Sequence, residues 1–184
     1  MRKIKKLLNS MRFLILVPFL DMQDRAINMD IERWKNVLNL NGSNKQVLKE
    51  LLSNHKEFRN LYIYRNTERV HFNRLVRLLY SPLESLYILS NEIGGGLYIQ
   101  HGFSSYIAAD TIGENCWINQ QVTIGYNGKG VAPKIGNNVM IFCGAKVLGD
   151  ITIGDNAQIG ANAVVTKDVE PGAVMGGVPA RRIR

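Results

Sequence analysis

A six-residue period between residues 112 and 165 constrains this chain more than any other feature. An aliphatic residue opens each hexad, at Ile112, Ile118, Ile124, Ile135, Ile141, Val147, Ile153, Ile159 and Val165. A second small or branched residue follows four positions later, at Cys116, Val122, Val139, Ala145, Ile151, Ala157, Ala163 and Val169. A period of six fits neither an α-helix nor an alternating strand. It is typical of a parallel β-helix, whose tight turns use Gly, Asn and Asp because these residues tolerate positive φ.

The repeat is interrupted once, between Ile124 and Ile135, where about five residues exceed the period. A solenoid expels such an insertion as a loop, often on its binding face. The inserted residues fall within 126–134, a polar stretch that carries Lys129 and Lys134. The sequence therefore predicts an extruded, cationic loop with a binding role, and a tolerated insertion is the alternative.

The region before the repeat has the 3–4 spacing of apolar residues that indicates amphipathic helices. Helices are predicted around 31–38, from the N-cap Ser43 to Leu52, around 58–64, and over a leucine-rich stretch from 75 to 89 that Pro82 can break. At Ile93 the composition changes, and the three glycines 94–96 are predicted to form the first irregular turn of the β-helix. We therefore predict a helical domain over residues 1–92 and a β-helical domain over residues 93–184.

The first twenty residues begin with basic side chains and continue into the apolar run 13–20. This run is far shorter than the roughly 20 residues that span a bilayer, and no small-residue cleavage site follows it. The prediction is a helix or strand packed on the rest of the protein. The alternative is a basic amphipathic segment that touches an anionic membrane surface.

Charge and cysteine usage limit the partners. The net charge of +8 favours anions, including phosphorylated cofactors, but no nucleic-acid-binding motif is present, so no nucleic-acid partner is expected. Cys116 and Cys143 both fall inside the repeat, which indicates a reduced compartment and a cytoplasmic location rather than a disulfide framework. His55, His71 and His101 are scattered without the spacing of metal ligands, so no metal is expected.

Several segments of the second half occur in the order found in a known family. They are Gly96–His101, Gln121–Gly125, Gly128–Lys129, Pro133–Ile135, Gly144–Gly149 and Gly177–Arg181. The chain thus resembles the hexapeptide-repeat acyltransferases, and among them the serine acetyltransferase group. The resemblance implies a mixed fold, with an N-terminal α-helical region followed by a left-handed parallel β-helix. It also implies an acetyl-CoA-dependent O-acetyltransferase that forms a homotrimer or a dimer of trimers.

By this resemblance, His101 matches the catalytic histidine. An alcohol is a poor nucleophile until a base within hydrogen-bond reach takes its proton, and imidazole is the side chain best suited to that task near neutral pH. The activated oxygen would attack the thioester carbonyl of acetyl-CoA. A structural histidine is the alternative interpretation.

The resemblance also implies a groove for acetyl-CoA near the loop and the C-terminal coils. Backbone N–H groups at Gly125 and Tyr126 are candidates for the oxyanion hole, and the small residues Cys143 and Ala161 match positions along the pantetheine arm. Cations form strong charge-assisted bonds with phosphates. The candidates for the CoA phosphates are Lys129, Lys134, Lys167 and Arg181.

The chain departs from the serine acetyltransferase pattern at three places. Gln100 replaces an acid before the histidine, Val131-Ala132 replace an Arg-His pair, and Leu86 stands where the family has the aspartate that orients the histidine. Glu92 and Asp110 are candidate replacements for that aspartate.

These losses remove charges that would bind free serine, whereas the neutral side chains of Gln100, Asn127 and Tyr126 suit a sugar. The main prediction is therefore a sugar or surface-polysaccharide precursor as acceptor, with free L-serine a poor one. The alternatives are a serine O-acetyltransferase of cysteine biosynthesis and a non-catalytic β-helix scaffold.

Overall fold

The computed structural model describes residues 2–128 and 130–184 and divides the chain into two compact units. The first unit ends at Leu83, and the second runs from Glu84 to Arg184. The sequence-based boundary between residues 92 and 93 falls inside the second unit. The reason is that the strands at 86–88 and 92–93 already hydrogen-bond to the following coil and so form part of the β-helix.

The first unit is helical. Its helices are α1 (Arg2–Leu16), followed by a 3-10 turn (Val17–Phe19), α2 (Arg25–Val37), α3 (Asn44–Asn54), α4 (Lys56–Arg65) and α5 (Val70–Leu79). The side chain of Asp24 caps α2 by accepting a hydrogen bond from the Ile27 N–H at 2.8 Å. Ser43 and Gln46 form a capping box at the start of α3, which confirms the helix predicted from Ser43.

Aromatic rings and one buried ion pair hold these helices together. Trp34 meets Phe58 edge-on at a centroid distance of 5.3 Å, and Tyr62 meets Phe72 edge-on at 6.3 Å. Burial raises the pKa of the Tyr62 hydroxyl. Asp30 accepts hydrogen bonds from Arg65 at Nε (2.8 Å) and Nη2 (3.2 Å), and the pairing lets both charges stay inside the unit.

The predicted leucine-rich helix from 75 to 89 is wrong beyond residue 79. Helix α5 ends at Leu79, and Pro82, which lacks an N–H to continue a helix, lies in the segment that follows. Leu86 then points into the core and Tyr87 out of it, the alternation of a strand.

The second unit is a parallel β-helix of about five coils, as the six-residue period predicts. The first four coils contribute one strand to each of three sheets, and the fifth coil contributes strands to two of them. Sheet A contains β1 (Leu86–Ile88), β4 (Ser105–Ile107), β7 (Thr123–Gly125), β10 (Lys146–Leu148) and β13 (Val164–Val165). Sheet B contains β2 (Glu92–Ile93), β5 (Thr111–Ile112), β8 (Lys134–Ile135) and β11 (Thr152–Ile153).

Sheet C closes the third side of the coil. It contains β3 (Tyr98–Ile99), β6 (Trp117–Ile118), β9 (Met140–Ile141), β12 (Gln158–Ile159), β14 (Val174–Gly176) and β15 (Arg181–Arg182). The last strand runs antiparallel to β14. It therefore ends the row of parallel strands with a short basic edge, which discourages further strand addition.

The hexad residues stack in register inside the coil. In sheet C, Ile99 pairs with Ile118, Ile118 with Ile141, and Ile141 with Ile159. Every aliphatic residue that opens a hexad is at most 3% exposed, and the second small or branched residue of each hexad is also buried. Both positions of the hexad therefore face the core of the β-helix.

The glycines 94–96 form the turn between β2 and β3. This is the second turn of the β-helix and not the predicted first one, because the first coil begins at β1 and not at Ile93. Gly96 has a φ of +82°, and a Cβ there would overlap the side-chain oxygen of Asn115 in the next coil. Only glycine fits this position.

Candidate active site

Two corners of the β-helix carry the predicted site residues. The turns from sheet C to sheet A form one corner, named here the histidine corner, at 100–104, 119–121, 142–144 and 160–162. The turns from sheet A to sheet B form the loop corner, whose described residues are 89–91, 108–110, 126–128, 130–133, 149–151 and 166–168. Strand register defines both sets.

The first turn of the histidine corner is longer than the others. From Ile99 to Ile107 the chain advances eight positions, whereas the equivalent step from Ile118 to Ile124 takes six. The two extra residues bulge at His101 and Gly102, which both have positive φ, +64° and +53°. The insertion therefore displays the imidazole at the outside of the turn instead of continuing the tight corner.

Local hydrogen bonds fix this bulge. The N–H of Phe103 donates to the His101 carbonyl at 2.6 Å, and the N–H of Gly102 donates to the Gln100 carbonyl at 2.8 Å. The buried hydroxyl of Ser105 accepts from the Val122 N–H at 3.3 Å and ties the turn to the next coil. The His101 side chain is exposed and has no hydrogen-bond partner among residues 2–128 and 130–184.

Gln100 is held by a chain of side chains. The indole N–H of Trp117 donates to Asn119 Oδ1 at 2.7 Å, and Asn119 Nδ2 donates to Gln100 Oε1 at 3.5 Å. The Gln100 oxygen thus accepts a hydrogen bond within the chain, and the Gln100 amide nitrogen can donate one to a bound molecule. Gln100 therefore offers a neutral donor beside His101.

Cys143 and Ala161 lie on the same corner as His101. The residues that stack in this column are Phe103, Gln120, Cys143 and Ala161. The first three carbonyls of the column accept N–H bonds from the following coil: Phe103 from Gln121, Gln120 from Gly144, and Cys143 from Asn162, at 2.9–3.0 Å. Adjacent coils are about 4.8 Å apart, so the column extends roughly 15 Å from the histidine turn. The end of the column away from His101, at Cys143 and Ala161, carries only small side chains.

The other predicted residues lie mainly at the loop corner. Gly125 ends β7, Tyr126 and Asn127 begin the loop, and a Cβ placed on Gly125 would meet open space. Asn127 approaches Gly149 of the next coil closely enough that a Cβ on Gly149 would contact its amide nitrogen at 2.7 Å.

The candidate cations that the structure describes do not share one corner. Lys134 and Lys167 are exposed at the loop corner, whereas Arg181 is exposed on β15, after the last turn of the histidine corner. Lys129 lies outside the described residues. Three of the four predicted phosphate ligands are therefore placed, and they do not form one cluster in a single chain.

The strands of sheet A separate the two corners. From Val122 to Tyr126 the extended chain covers about 13 Å, so the length of a sheet A strand lies between the histidine corner and the beginning of the loop. Glu92 and Asp110 are also near the loop corner, and Asp110 accepts a hydrogen bond from Asn91 at 3.0 Å. These carboxylates and His101 lie at different corners of the β-helix, and a role for either carboxylate in orienting the histidine stays a prediction.

The remaining candidates have structural surroundings. Leu86 is buried on β1, where it pairs with Ser105 at the end of the histidine turn. His55 packs edge-on against Trp34, and burial lowers its pKa, while His71 is exposed on α5. Among the described residues, no three His, Cys, Asp or Glu side chains are grouped as a metal site.

Comparison with known proteins identifies the β-helix. The family model described as bacterial transferase hexapeptide (six repeats) matches residues 132–167. A serine acetyltransferase of Synechococcus elongatus is 43% identical over 96 residues, which cover 50% of this chain and 39% of the relative. One of Helicobacter pylori strain J99 is 44% identical over 96 residues, 50% of this chain and 56% of the relative. The chain thus spans about half, or less, of the length of these relatives.

Solved structures extend the likeness to the helical part. Neisseria gonorrhoeae serine acetyltransferase in complex with serine has a TM-score of 0.66 at 26% identity, covering 87% of this chain and 68% of that one. Brucella abortus serine acetyltransferase in complex with coenzyme A has a TM-score of 0.61 at 26% identity, covering 86% and 66%. The chain is therefore similar to the hexapeptide-repeat acyltransferases. Among them it is similar to the serine acetyltransferases.

The sequence did not single out three residues that surround Gln100 and the column of the histidine corner. Trp117 and Asn119 hold Gln100, and Gln120 stacks between Phe103 and Cys143. The Gln120 amide oxygen is buried and has no hydrogen-bond partner among the described residues. One signal was available: the eight-residue step from Ile99 to Ile107 marks the histidine turn as irregular and points to the turns that stack on it.

Proposed function

We propose that this chain is an acetyl-CoA-dependent O-acetyltransferase whose acceptor is the hydroxyl of serine. The observation that carries the proposal is His101, displayed with a free imidazole on an inserted bulge at the head of the column that ends in Cys143 and Ala161. The relatives and solved neighbours named serine acetyltransferase support serine over a sugar as acceptor.

The proposed reaction needs one base. Neutral imidazole of His101 takes the proton of the acceptor hydroxyl while the oxygen attacks the thioester carbonyl carbon. The carbon–sulfur bond then breaks, the ester forms, and the leaving CoA thiolate takes the proton from the imidazolium. Backbone N–H groups at Gly125 and Tyr126 are the candidates that stabilise the oxyanion.

The residues present fit acetyl-CoA as the acetyl donor. The open space above Gly125 lets a ligand approach the backbone, and Cys143 and Ala161 leave room along the histidine corner. Lys134, Lys167 and Arg181 supply exposed cations for phosphates, and Lys129 lies in the same loop in sequence. Coenzyme A bound to the Brucella abortus neighbour supports this assignment.

The separation of the two corners supports a homotrimer, because a second copy would have to bring its loop corner to the first copy's His101. We expect light scattering to give three times the chain mass of 20.7 kDa, or six times for a dimer of trimers. Dilution until the assembly dissociates should abolish acetyl transfer. A monomer that keeps full activity would contradict the shared site.

A sugar hydroxyl is the second candidate acceptor. The specific observation is that Gln100, fixed through Asn119, places a neutral amide donor beside His101 where a serine-binding site of this group has an acid. Val131 and Ala132 likewise offer no charge to a carboxylate. A neutral polyol needs only such amides and hydroxyls.

Acetyl-CoA turnover with L-serine and with neutral sugars separates the two candidates. For serine we expect kcat/KM above about 10⁴ M⁻¹s⁻¹, the low end for an enzyme with its own substrate. Gln100→Glu, which keeps an oxygen for Asn119 and adds a charge for the serine ammonium, should raise that value about tenfold, as a charge-assisted bond does. Gln121→Glu, on the same corner, is the matched control and should change nothing. A preference of more than tenfold for a sugar would instead establish the second candidate, and failure to bind CoA would indicate a scaffold.

A further inference from the structure

Helix α1 turns an apolar face away from the protein. Six side chains of this helix are between 48% and 67% exposed: Ile4, Leu7, Leu8, Met11, Leu14 and Ile15. On the opposite side Phe13 and Leu16 are buried. A surface helix normally places its polar residues outward, so this arrangement is inverted.

The exposed residues form one continuous stripe. At 100° per residue, their positions fall within an arc of about 120° that contains no polar residue. Lys3 lies at one border of this arc in the helical projection, and Lys5 and Arg12 lie at the other. An apolar stripe with basic residues at both borders is the pattern of a helix that lies in the plane of a membrane surface.

The opposite face of α1 packs against the other helices of its unit. Ser10 Oγ accepts a hydrogen bond from Lys49 Nζ at 2.8 Å, and the carbonyl of Asn9 accepts one from the Tyr80 hydroxyl at 3.2 Å. These contacts fix α1 against α3 and the end of α5 with the stripe outward. The helix is too short to cross a bilayer, at about 22 Å, and no described helix is long and apolar enough to do so.

The charge of α1 indicates whether a second copy of the chain or a lipid surface covers the apolar stripe. The sequence of α1 contains five basic residues, Arg2, Lys3, Lys5, Lys6 and Arg12, and no acidic one. Pairing α1 with α1 of a second copy would bring two sets of like charges together without compensation. An anionic lipid surface would instead attract this net positive charge while the stripe enters the acyl boundary.

We propose that α1 binds the protein to anionic membrane surfaces by lying in the interface with its apolar stripe buried. The six side chains supply the apolar contact, and the basic borders select the negative headgroups. The attachment is peripheral and reversible, and it is independent of which acceptor the β-helix acetylates.

Co-sedimentation of the full chain with vesicles tests the proposal. Phosphatidylcholine vesicles containing 30% phosphatidylglycerol should bind at least ~10 times more protein than pure phosphatidylcholine, and 0.5 M NaCl should weaken that binding. The double substitution Leu7→Glu with Met11→Glu, in the middle of the stripe, should reduce binding at least ~10-fold. Val178→Glu with Ile183→Glu adds the same two charges at exposed apolar positions of the other unit and should change binding less than about twofold. Circular dichroism should show both variants folded.

Two results with the Leu7/Met11 variant, and a third with the parent alone, would contradict the proposal. One is equal binding of the parent and the Leu7/Met11 variant to the anionic vesicles, or binding of neither. The other is a fall in assembly mass by light scattering for the Leu7/Met11 variant, with no loss of vesicle binding, which would assign the stripe to a second copy. Equal binding of the parent to neutral and anionic vesicles would also contradict the role given to the basic borders.

Discussion

Replacing His101 by alanine is expected to lower kcat by about 10²- to 10⁴-fold, the usual contribution of a positioned general base. The loss should appear with every acceptor, because it affects proton transfer rather than recognition. CoA affinity should stay nearly unchanged. Stopped assays of CoA release with and without acceptor measure each of these effects.

The controls follow from the local backbone. His101 has a φ of +64°, a left-handed conformation that is more favourable for asparagine than for alanine. His101→Asn therefore removes the base while keeping the turn. Both variants should lose the same activity, which separates chemistry from strain. His71→Ala, at an exposed histidine of α5, should keep the parental rate. If His101→Ala retains more than half of the rate, the histidine is structural and the proposed mechanism fails.

Replacing Ile141 by aspartate is expected to destabilise the β-helix by about 3–5 kcal/mol, the range for a buried charge without a partner. Ile141 is 1% exposed and pairs with Ile118 and Ile159 in sheet C, so the carboxylate would enter the core between two coils. Each neighbouring coil depends on this interface, as in other solenoids, so the loss should spread beyond one strand. Urea denaturation followed by circular dichroism gives the change.

Gln158→Asp is the matched control for this substitution. Gln158 is exposed on β12, next to the core residue Ile159 in the same strand, and the change adds the same charge to sheet C. Its effect should stay within about 0.5 kcal/mol, as for most surface substitutions. Equal midpoints for Ile141→Asp and the parent would show that the hexad register is misassigned.

The coil of the β-helix could be predicted because each hexad carries its own apolar and turn residues. Ile112 and Cys116, for example, are both buried because the coils on either side repeat the same apolar positions. The beginning of the coil could not be predicted in this way. Strand β1 is only three residues long, and Leu83, Leu86 and Leu89 recur at a helical interval, so periodicity alone placed Leu86 in a helix.

The candidate site was predictable only in part, because spacing in sequence does not report which corner a turn occupies. Cys143 and Ala161 share a corner with His101, whereas Gly125 lies across sheet A from it. Glu92 and Asp110 seemed close to His101 in sequence, but they are separated from it by strands. Such placement depends on how three sheets close into one coil, which no local signal encodes.

The loop at 126–133 leaves the coil without disturbing it. On either side of it, Gly125 pairs with Leu148, and Ile135 pairs with Ile112. The two halves of the coil therefore meet in the same register whatever lies between them. If the proposed function holds, substitutions in the loop, including at Val131 and Ala132, would alter the acceptor site at little cost in folding. A substitution in a hexad would instead disturb the coils on either side of it. This architecture would therefore separate substrate preference from stability along the chain.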